Sequence, residues 1–299
     1  MFFRSNKKMS FLFPVFKKIT SIFFGKGFGS IPGVRFLYKI LYKKFKLSGI
    51  CLFENVQGYK MWINTDDTGI APYIMMRGIF GEYETGVIKK IIKPGMTAVD
   101  IGANFGYFSL LLSGLVGESG KVFAFEPDST AFKLLSRNIK ENGIKNVFLI
   151  NKALSNKAGR TKLYLDKDNK GEMSLSLANV DKPCGCISVE TITLDSYFAN
   201  LNEKIDFIKM DVQGAEGMVI AGACEILNKH NPKILFEFWP WGLNNLGFNP
   251  EKLLADLIIG GYKIKEVKEV LNEYGVSNIS KTSSNRKDNK GFTNLLCES

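Results

Sequence analysis

Val99-Asp100-Ile101-Gly102-Ala103-Asn104-Phe105-Gly106 passes from an apolar run directly into small residues. Thr97–Ile101 reads as a short buried strand and residues 107–115 as an apolar helix, so the glycines mark a strand-to-helix junction. Ligands of open α/β sheets bind at such junctions. Further along, Lys121–Phe125 reads as a second strand, followed by a helix that Asp128 or Ser129 caps and Gly143 stops. Val147–Ile150, residues 205–210 and Lys233–Phe238 are further apolar strands, with one helix across 215–229. A helix over 251–259, a strand over 262–267 and a last strand near 292–297 complete the pattern. Alternation of strand and helix over 97–238 implies right-handed βαβ units and a doubly wound α/β sheet, covered on both faces. Residues 160–195 form a β-rich excursion, 51–63 a hairpin around Gly58, and 281–290 a polar loop.

The charge is unevenly placed. Residues 1–53 hold eleven basic side chains and no acid, the first being Glu54, whereas 54–299 hold 29 of each sign. The net charge of +11 therefore belongs to the N-terminal segment. That segment is also rich in phenylalanine, and 9–24 and 34–47 can be drawn as amphipathic helices. No apolar run there approaches the roughly 20 residues that span a bilayer, and lysines interrupt every candidate signal-peptide core. Two parts follow: a basic aromatic segment, 1–49, and an α/β domain, 50–299. Basic amphipathic sequence suits an anionic membrane surface, with nucleic acid as another acidic partner. Five scattered cysteines and one histidine form neither a disulfide framework nor a zinc set. The expectation is a reducing, cytoplasmic protein, peripheral at the inner face of the membrane, with no metal site.

Three places carry chemistry. Gly102 and Gly106 flank Asn104 in a pattern that departs from G-x-G-x-x-G, and Asp100 sits badly beside a pyrophosphate. Asp100 suits an ammonium group or an oriented water instead. Glu126, before Pro127 at the tip of the second strand, lies where a carboxylate accepts both hydroxyl hydrogens of a ribose. Nicotinamide and S-adenosylmethionine sites share that carboxylate. Asp211, in Ile208-Lys209-Met210-Asp211-Val212-Gln213-Gly214-Ala215-Glu216, ends a strand at the same edge as Gly102. Glu216, in a first helical turn, complements the helix dipole.

D-I-G-A-N-F-G-Y-F-S, F-E-P-D, V-E-T-I-T-L-D-S-Y and I-D-F-I-K-M-D-V-Q-G-A-E, in this order, resemble the FkbM family of S-adenosylmethionine-dependent methyltransferases. Gly81-Glu82-Tyr83-Glu84 matches that family's entry motif, and the resemblance covers about 80–240. It implies a Rossmann-like sheet with one antiparallel strand. It also implies that the cofactor's methionine end meets Glu84, Asp100, Gly102 and Asn104, with Gly106 completing the loop. The ribose would then lie on Glu126 and the adenine beside Lys152-Ala153-Leu154. The family's usual Glu is replaced here by Gln213, which is given no catalytic weight.

A hydroxyl nucleophile benefits from a general base, and Asp211 and Glu237 are the candidates, beside proximity alone. The family implies O-methylation of a sugar, glycan or secondary-metabolite hydroxyl. RNA methylation through the basic tail, a nicotinamide oxidoreductase and a non-catalytic membrane-surface Rossmann protein are the other readings.

Overall fold

The computed structural model describes residues 47–169, 171–273 and 291–299, together with Phe13 and Lys18. The helices drawn across 9–24 and 34–47 and the loop at 281–290 lie outside these residues, apart from Phe13, buried, and Lys18, exposed, both in helical backbone. The chain divides into two compact units, Met1–Ile79 and Phe80–Ser299.

In the first unit, β1 (Ile50–Val56) and β2 (Tyr59–Asn64) form the expected antiparallel hairpin. Gln57 and Gly58 turn it with φ of 53° and 92°, the pair of left-handed residues that a tight hairpin turn requires. Helix α1 (Ala71–Arg77) follows a turn closed by Asp67, whose Oδ1 accepts the N–H groups of Gly69, Ile70 and Ala71. Those donors would otherwise be orphaned at the helix start.

The second unit opens with α2 (Glu82–Ile91), then β3 (Thr97–Ile101), α3 (Tyr107–Val116), β4 (Lys121–Phe125), α4 (Ser129–Glu141) and β5 (Val147–Ile150). After an excursion come α5 (Leu194–Phe198), β9 (Phe207–Met210), α6 (Glu216–Ala221), α7 (Cys224–His230) and β10 (Lys233–Phe238). The chain closes with α8 (Pro240–Asn244), α9 (Pro250–Ile259), β11 (Lys263–Glu266), α10 (Val267–Glu273) and β12 (Thr293–Glu298). Seven strands form one sheet in the order β11-β12-β10-β9-β3-β4-β5. All run parallel except β12, which is antiparallel to both neighbours. From β3 the chain winds outward through β4 and β5, then returns to β9 on the other side. The order therefore reverses between β3 and β9, and a crevice opens at their carboxyl ends.

Strand alternation decides which side chains meet. Val99, Ile101, Phe123, Phe125, Ile208, Met210, Ile234 and Phe236 point to one face and pack in a single buried cluster. Asp100 and Lys209, cross-strand partners in β3 and β9, point to the other face. There Phe108 and Ser109 of α3 meet them: Lys209 Nζ lies 4.5 Å from the Phe108 ring centroid, and Ser109 Oγ donates to Asp100 Oδ2 at 2.6 Å.

The single helix expected over 215–229 is two. Gly222 ends α6 because the chain there passes hard against Ser155: a Cβ would stand 2.1 Å from the Ser155 carbonyl oxygen. Asp195 then restarts the helix, its two carboxylate oxygens each accepting an N–H, from Glu225 and Ile226, at 3.0 Å. The aspartate of V-E-T-I-T-L-D-S-Y is thus a capping residue supplied from α5. His230 ends α7 and accepts the Ile205 N–H on Nδ1 at 3.1 Å, ahead of β9 and away from the crevice. The β-rich excursion is a separate three-stranded sheet of β6 (Ala153–Leu154), β7 (Gly159–Asp166) and β8 (Pro183–Ile192), in the order β6-β8-β7. Its connection, 167–182, contains the 3-10 turn Leu177–Asn179.

Candidate active site

Two backbone amides bind the end of β3 to that of β4: Gly102 and Ala103 both donate to the Phe125 carbonyl at 3.0 Å. Gly102 has φ +78°, and a Cβ there would stand 2.1 Å from the Asp211 carbonyl oxygen. Only glycine fits where β3 and β9 part. Asn104 takes φ +50°, and its N–H donates to Glu126 Oε2 at 2.8 Å. Asp128 N–H donates to Oε1 at 2.8 Å. Glu126 is therefore held by one donor on each oxygen, which leaves a lone pair on each for a ligand. Burial pushes its carboxyl up to about 7 against the pull of these two donors. Gly106, at φ +94°, begins α3, and a Cβ there would meet Leu135 Cδ1 at 2.5 Å. Its role is to let α3 pack on α4.

Around this loop lies a cleft with about 610 Å³ of empty space, solvent at its mouth included. Gly102 and Asn104 border it from the loop, Glu126 and Pro127 from β4, and Asp211, Val212 and Gln213 from the end of β9. Lys152, Ala153 and Leu154 form another wall. Leu163, Gly171, Met173 and Leu175 complete it from β7 and the β7–β8 connection. Gly171, Met173 and Leu175 had no signal in the sequence, because 171–175 has no helical or strand period, whereas Leu163 lies in the alternating strand; only the folding back of the excursion brings all four here.

Glu84, Asp100 and Glu237 do not border the cleft. They belong to a polar group on the α2–α3 side of the sheet, centred on Lys209, which is 5% exposed. Lys209 Nζ lies 3.6 Å from Asp211 Oδ2. Glu84 accepts a hydrogen bond from Asn294, the cross-strand partner of Glu237. Burial raises the carboxyls of Glu84 and Asp100, with Lys209 pulling both down. Glu237 is raised well above its ordinary value, first by burial and then by Asp211 and Glu216. Gln213, set aside at the sequence level, joins the two halves: its Nε2 donates to Asp211 Oδ1 at 2.8 Å and to Glu237 Oε1 at 3.2 Å. Among the described residues two buried carboxylate oxygens have no partner, Asp100 Oδ1 and Glu216 Oε2. Glu216 is fully buried and, through desolvation, sits up at about 7. It is not a surface dipole complement; its Oε1 holds the Val212 N–H at 3.1 Å.

The donor set suits a nucleoside. Along the cleft, Glu126, with a lone pair left on each oxygen, matches a ribose diol, and Leu154, Met173 and Leu175 an apolar base, while the unpartnered Asp100 Oδ1 lies behind the cleft wall. A β-strand order that reverses at this crevice, with one antiparallel strand near the far edge, is that of a Rossmann-like S-adenosylmethionine-dependent methyltransferase. The FkbM methyltransferase domain matches residues 100–275, and the chain belongs to the FkbM methyltransferase family. The matched domain is a methyltransferase domain, for which S-adenosylmethionine is the cofactor, and neither the nicotinamide nor the non-catalytic reading is favoured. Among characterised proteins it resembles the 2-O-methyltransferase NoeI of Sinorhizobium fredii, 33% identical over 159 residues. That match spans 48% of this chain and 63% of NoeI, less than two thirds of the relative. Among solved structures, an FkbM methyltransferase from Methylobacillus flagellatus aligns with 14% identity and a TM-score of 0.39, over 77% of this chain and 52% of that one. Fibrillarin of Aeropyrum pernix, with natively bound S-adenosyl-L-methionine, aligns with 12% identity and a TM-score of 0.41, over 73% and 74%.

Proposed function

We propose that this enzyme methylates a hydroxyl oxygen on a sugar, glycan or other small metabolite, within a catalytic domain of residues 50–299. The observation that carries the proposal is the Asp211–Gln213–Glu237 arrangement beside the cleft, which supplies carboxylates to take a hydroxyl proton. The 2-O-methyltransferase activity in the name of NoeI supports the same class of reaction.

When bound, the cofactor supplies a methyl group on an already activated sulfonium. The chain's own part is to hold the reactants, exclude water and move one proton. Glu126 and Ala153 are assigned to the nucleoside and Gly102 and Asn104 to the methionine end, with Asp100 and Glu84 in the Lys209 group behind them rather than on the cleft surface. Gly106 acts only through the packing of α3. Asp211 borders the cleft, whereas Glu237 stands behind Gln213. Asp211 is therefore the base of choice, with Glu237 behind it. Trp241 and Leu177, both exposed, lie on segments that Asn179 ties together through the Gly242 carbonyl at 3.1 Å. They offer an apolar surface to the unreactive part of the acceptor.

The test is transfer of labelled methyl groups from S-adenosylmethionine to an envelope glycan extract and, separately, to total RNA. Label in the glycan fraction that is lost in Asp211→Asn supports the reading; label in RNA alone refutes it.

The basic segment extends the proposal to an anionic membrane surface, where each nearby Lys or Arg contributes about 1 kcal/mol. No helix among the described residues is long and apolar enough to cross a membrane. Flotation of the full chain on anionic vesicles, lost when Lys7, Lys8, Lys17 and Lys18 are changed to Gln, is the expected result. Equal flotation of the two proteins would remove the membrane from the picture.

A further inference from the structure

We propose that Gln213 is the positioning residue of this site: its single side-chain nitrogen holds Asp211 and Glu237 as a bridged pair and fixes the orientation of the base. The inference rests on the proposed role of Asp211.

Both hydrogens of the Gln213 amide are committed. Nε2 donates to Asp211 Oδ1 at 2.8 Å and to Glu237 Oε1 at 3.2 Å. The opposite amide orientation would point a carbonyl oxygen at two carboxylate oxygens, so the chemistry of the neighbours settles which way the group faces. The backbone beneath is equally constrained. Gln213 has φ +53°, a conformation costly for a side-chain-bearing residue. Its carbonyl accepts from Ser174 Oγ at 2.7 Å and from Asn179 Nδ2 at 3.0 Å. Asn179 is itself held by Asn245 Nδ2, donating to its Oδ1 at 2.8 Å. The next residue, Gly214, has no room for a Cβ, which would stand 2.5 Å from Asn179 Nδ2. The amide thus reaches the acids from a locked turn.

With Oδ1 held by Gln213 and Oδ2 beside Lys209 at 3.6 Å, the Asp211 carboxylate is oriented from both sides. The charged groups facing the pair are Lys209 from β9, Glu216 from α6, Glu84 from α2 and Asp100 from β3. Three acids and one lysine already surround the bridge. A carboxylate at 213 would place a third acid in direct contact with the other two, and the group would hold a proton at neutral pH. A neutral donor avoids that. In the transfer, the acceptor O–H bond breaks and the new O–CH3 bond forms. The C–S bond breaks with its electron pair on sulfur, and the proton goes to Asp211.

The test uses full-length Gln213→Glu and Gln213→Met and needs no methyl acceptor. For Gln213→Glu, thermal unfolding from about pH 5.5 to about pH 8 should show a Tm deficit that shrinks as pH falls. The added carboxyl is raised by its neighbours, so its ionised form costs stability above that raised pKa and the cost fades as the group protonates. For Gln213→Met, a similar shape without the donors, carbon-13 NMR of labelled glutamate should show Glu237 titrating at higher pH than in the wild type. A Tm deficit that is the same at every pH, or a Glu237 titration that does not move in Gln213→Met, overturns the proposal. If Asp211→Asn retains methyl transfer while both titrations behave as stated, the base assignment fails and the bridge stands.

Discussion

Asn104 donates its backbone N–H to Glu126 Oε2 at 2.8 Å, so the glycine loop after β3 and the carboxylate at the end of β4 are one structural unit. Glu126 sits near pH 7 because burial outweighs its two N–H donors. Only the ionised group can accept two ribose hydroxyls while it also holds both amides. S-adenosylhomocysteine affinity should therefore be constant above about pH 7 and weaken roughly tenfold per unit below it. Calorimetric titration across that range reads this directly; a flat profile with Glu126→Ala still binding would exclude Glu126 from the site.

Gly102→Ala should be severe. The left-handed backbone alone costs a non-glycine residue about 1–3 kcal/mol, and the Cβ would stand 2.1 Å from the Asp211 carbonyl oxygen. The strands β3 and β9 would have to part at the crevice. Expected are a Tm several degrees lower and no detectable binding of S-adenosylhomocysteine. Unchanged values would show that the Asp211 turn yields freely.

Asp211→Asn and Glu237→Gln separate the two candidate bases. General-base catalysis contributes about 10²–10⁴-fold. Asp211 borders the cleft and Glu237 does not. The first change should reduce labelled-methyl transfer by about 100-fold or more, and the second by less. The reverse order would move the base to Glu237.

Glu216 makes a prediction on stability. Its folded-state carboxyl is raised to about 7 by desolvation, and its Oε2 has no partner. A raised acid costs stability when ionised, so the cost applies above about pH 7 and disappears as pH falls toward the unfolded-state value. Glu216→Gln removes the charge. Urea unfolding should find the variant more stable than the wild type near pH 8, with the difference gone near pH 5. A constant difference would mean that Glu216 is neutral throughout.

Much of the frame was legible along the chain. Thr97–Ile101, Lys121–Phe125, Val147–Ile150 and Lys233–Phe238 are each short apolar runs closed by turn residues, and each is a strand with those bounds. Asp128 caps α4 as its residue type and position require. Local chemistry decides such features, so local sequence reveals them. The helix over 215–229 was misread because its break has a remote cause: Gly222 meets Ser155 and Asp195 caps α7 from outside it.

The site divides the same way. Gly102, Asn104, Glu126 and Asp211 stand at strand ends, and strand ends of a doubly wound sheet meet at one crevice; residue order alone determined that they would gather. Which of them face the cleft was decided by packing. Strand alternation turns Asp100 and Glu237 to the α2–α3 side, and Gly106 is spent against Leu135. Lys209, Gln213 and Asn179 acquire their parts only in the folded chain. A buried lysine, an amide between two acids and an asparagine tying three segments are all defined by partners far away in sequence, and no short-range pattern records where those partners will be.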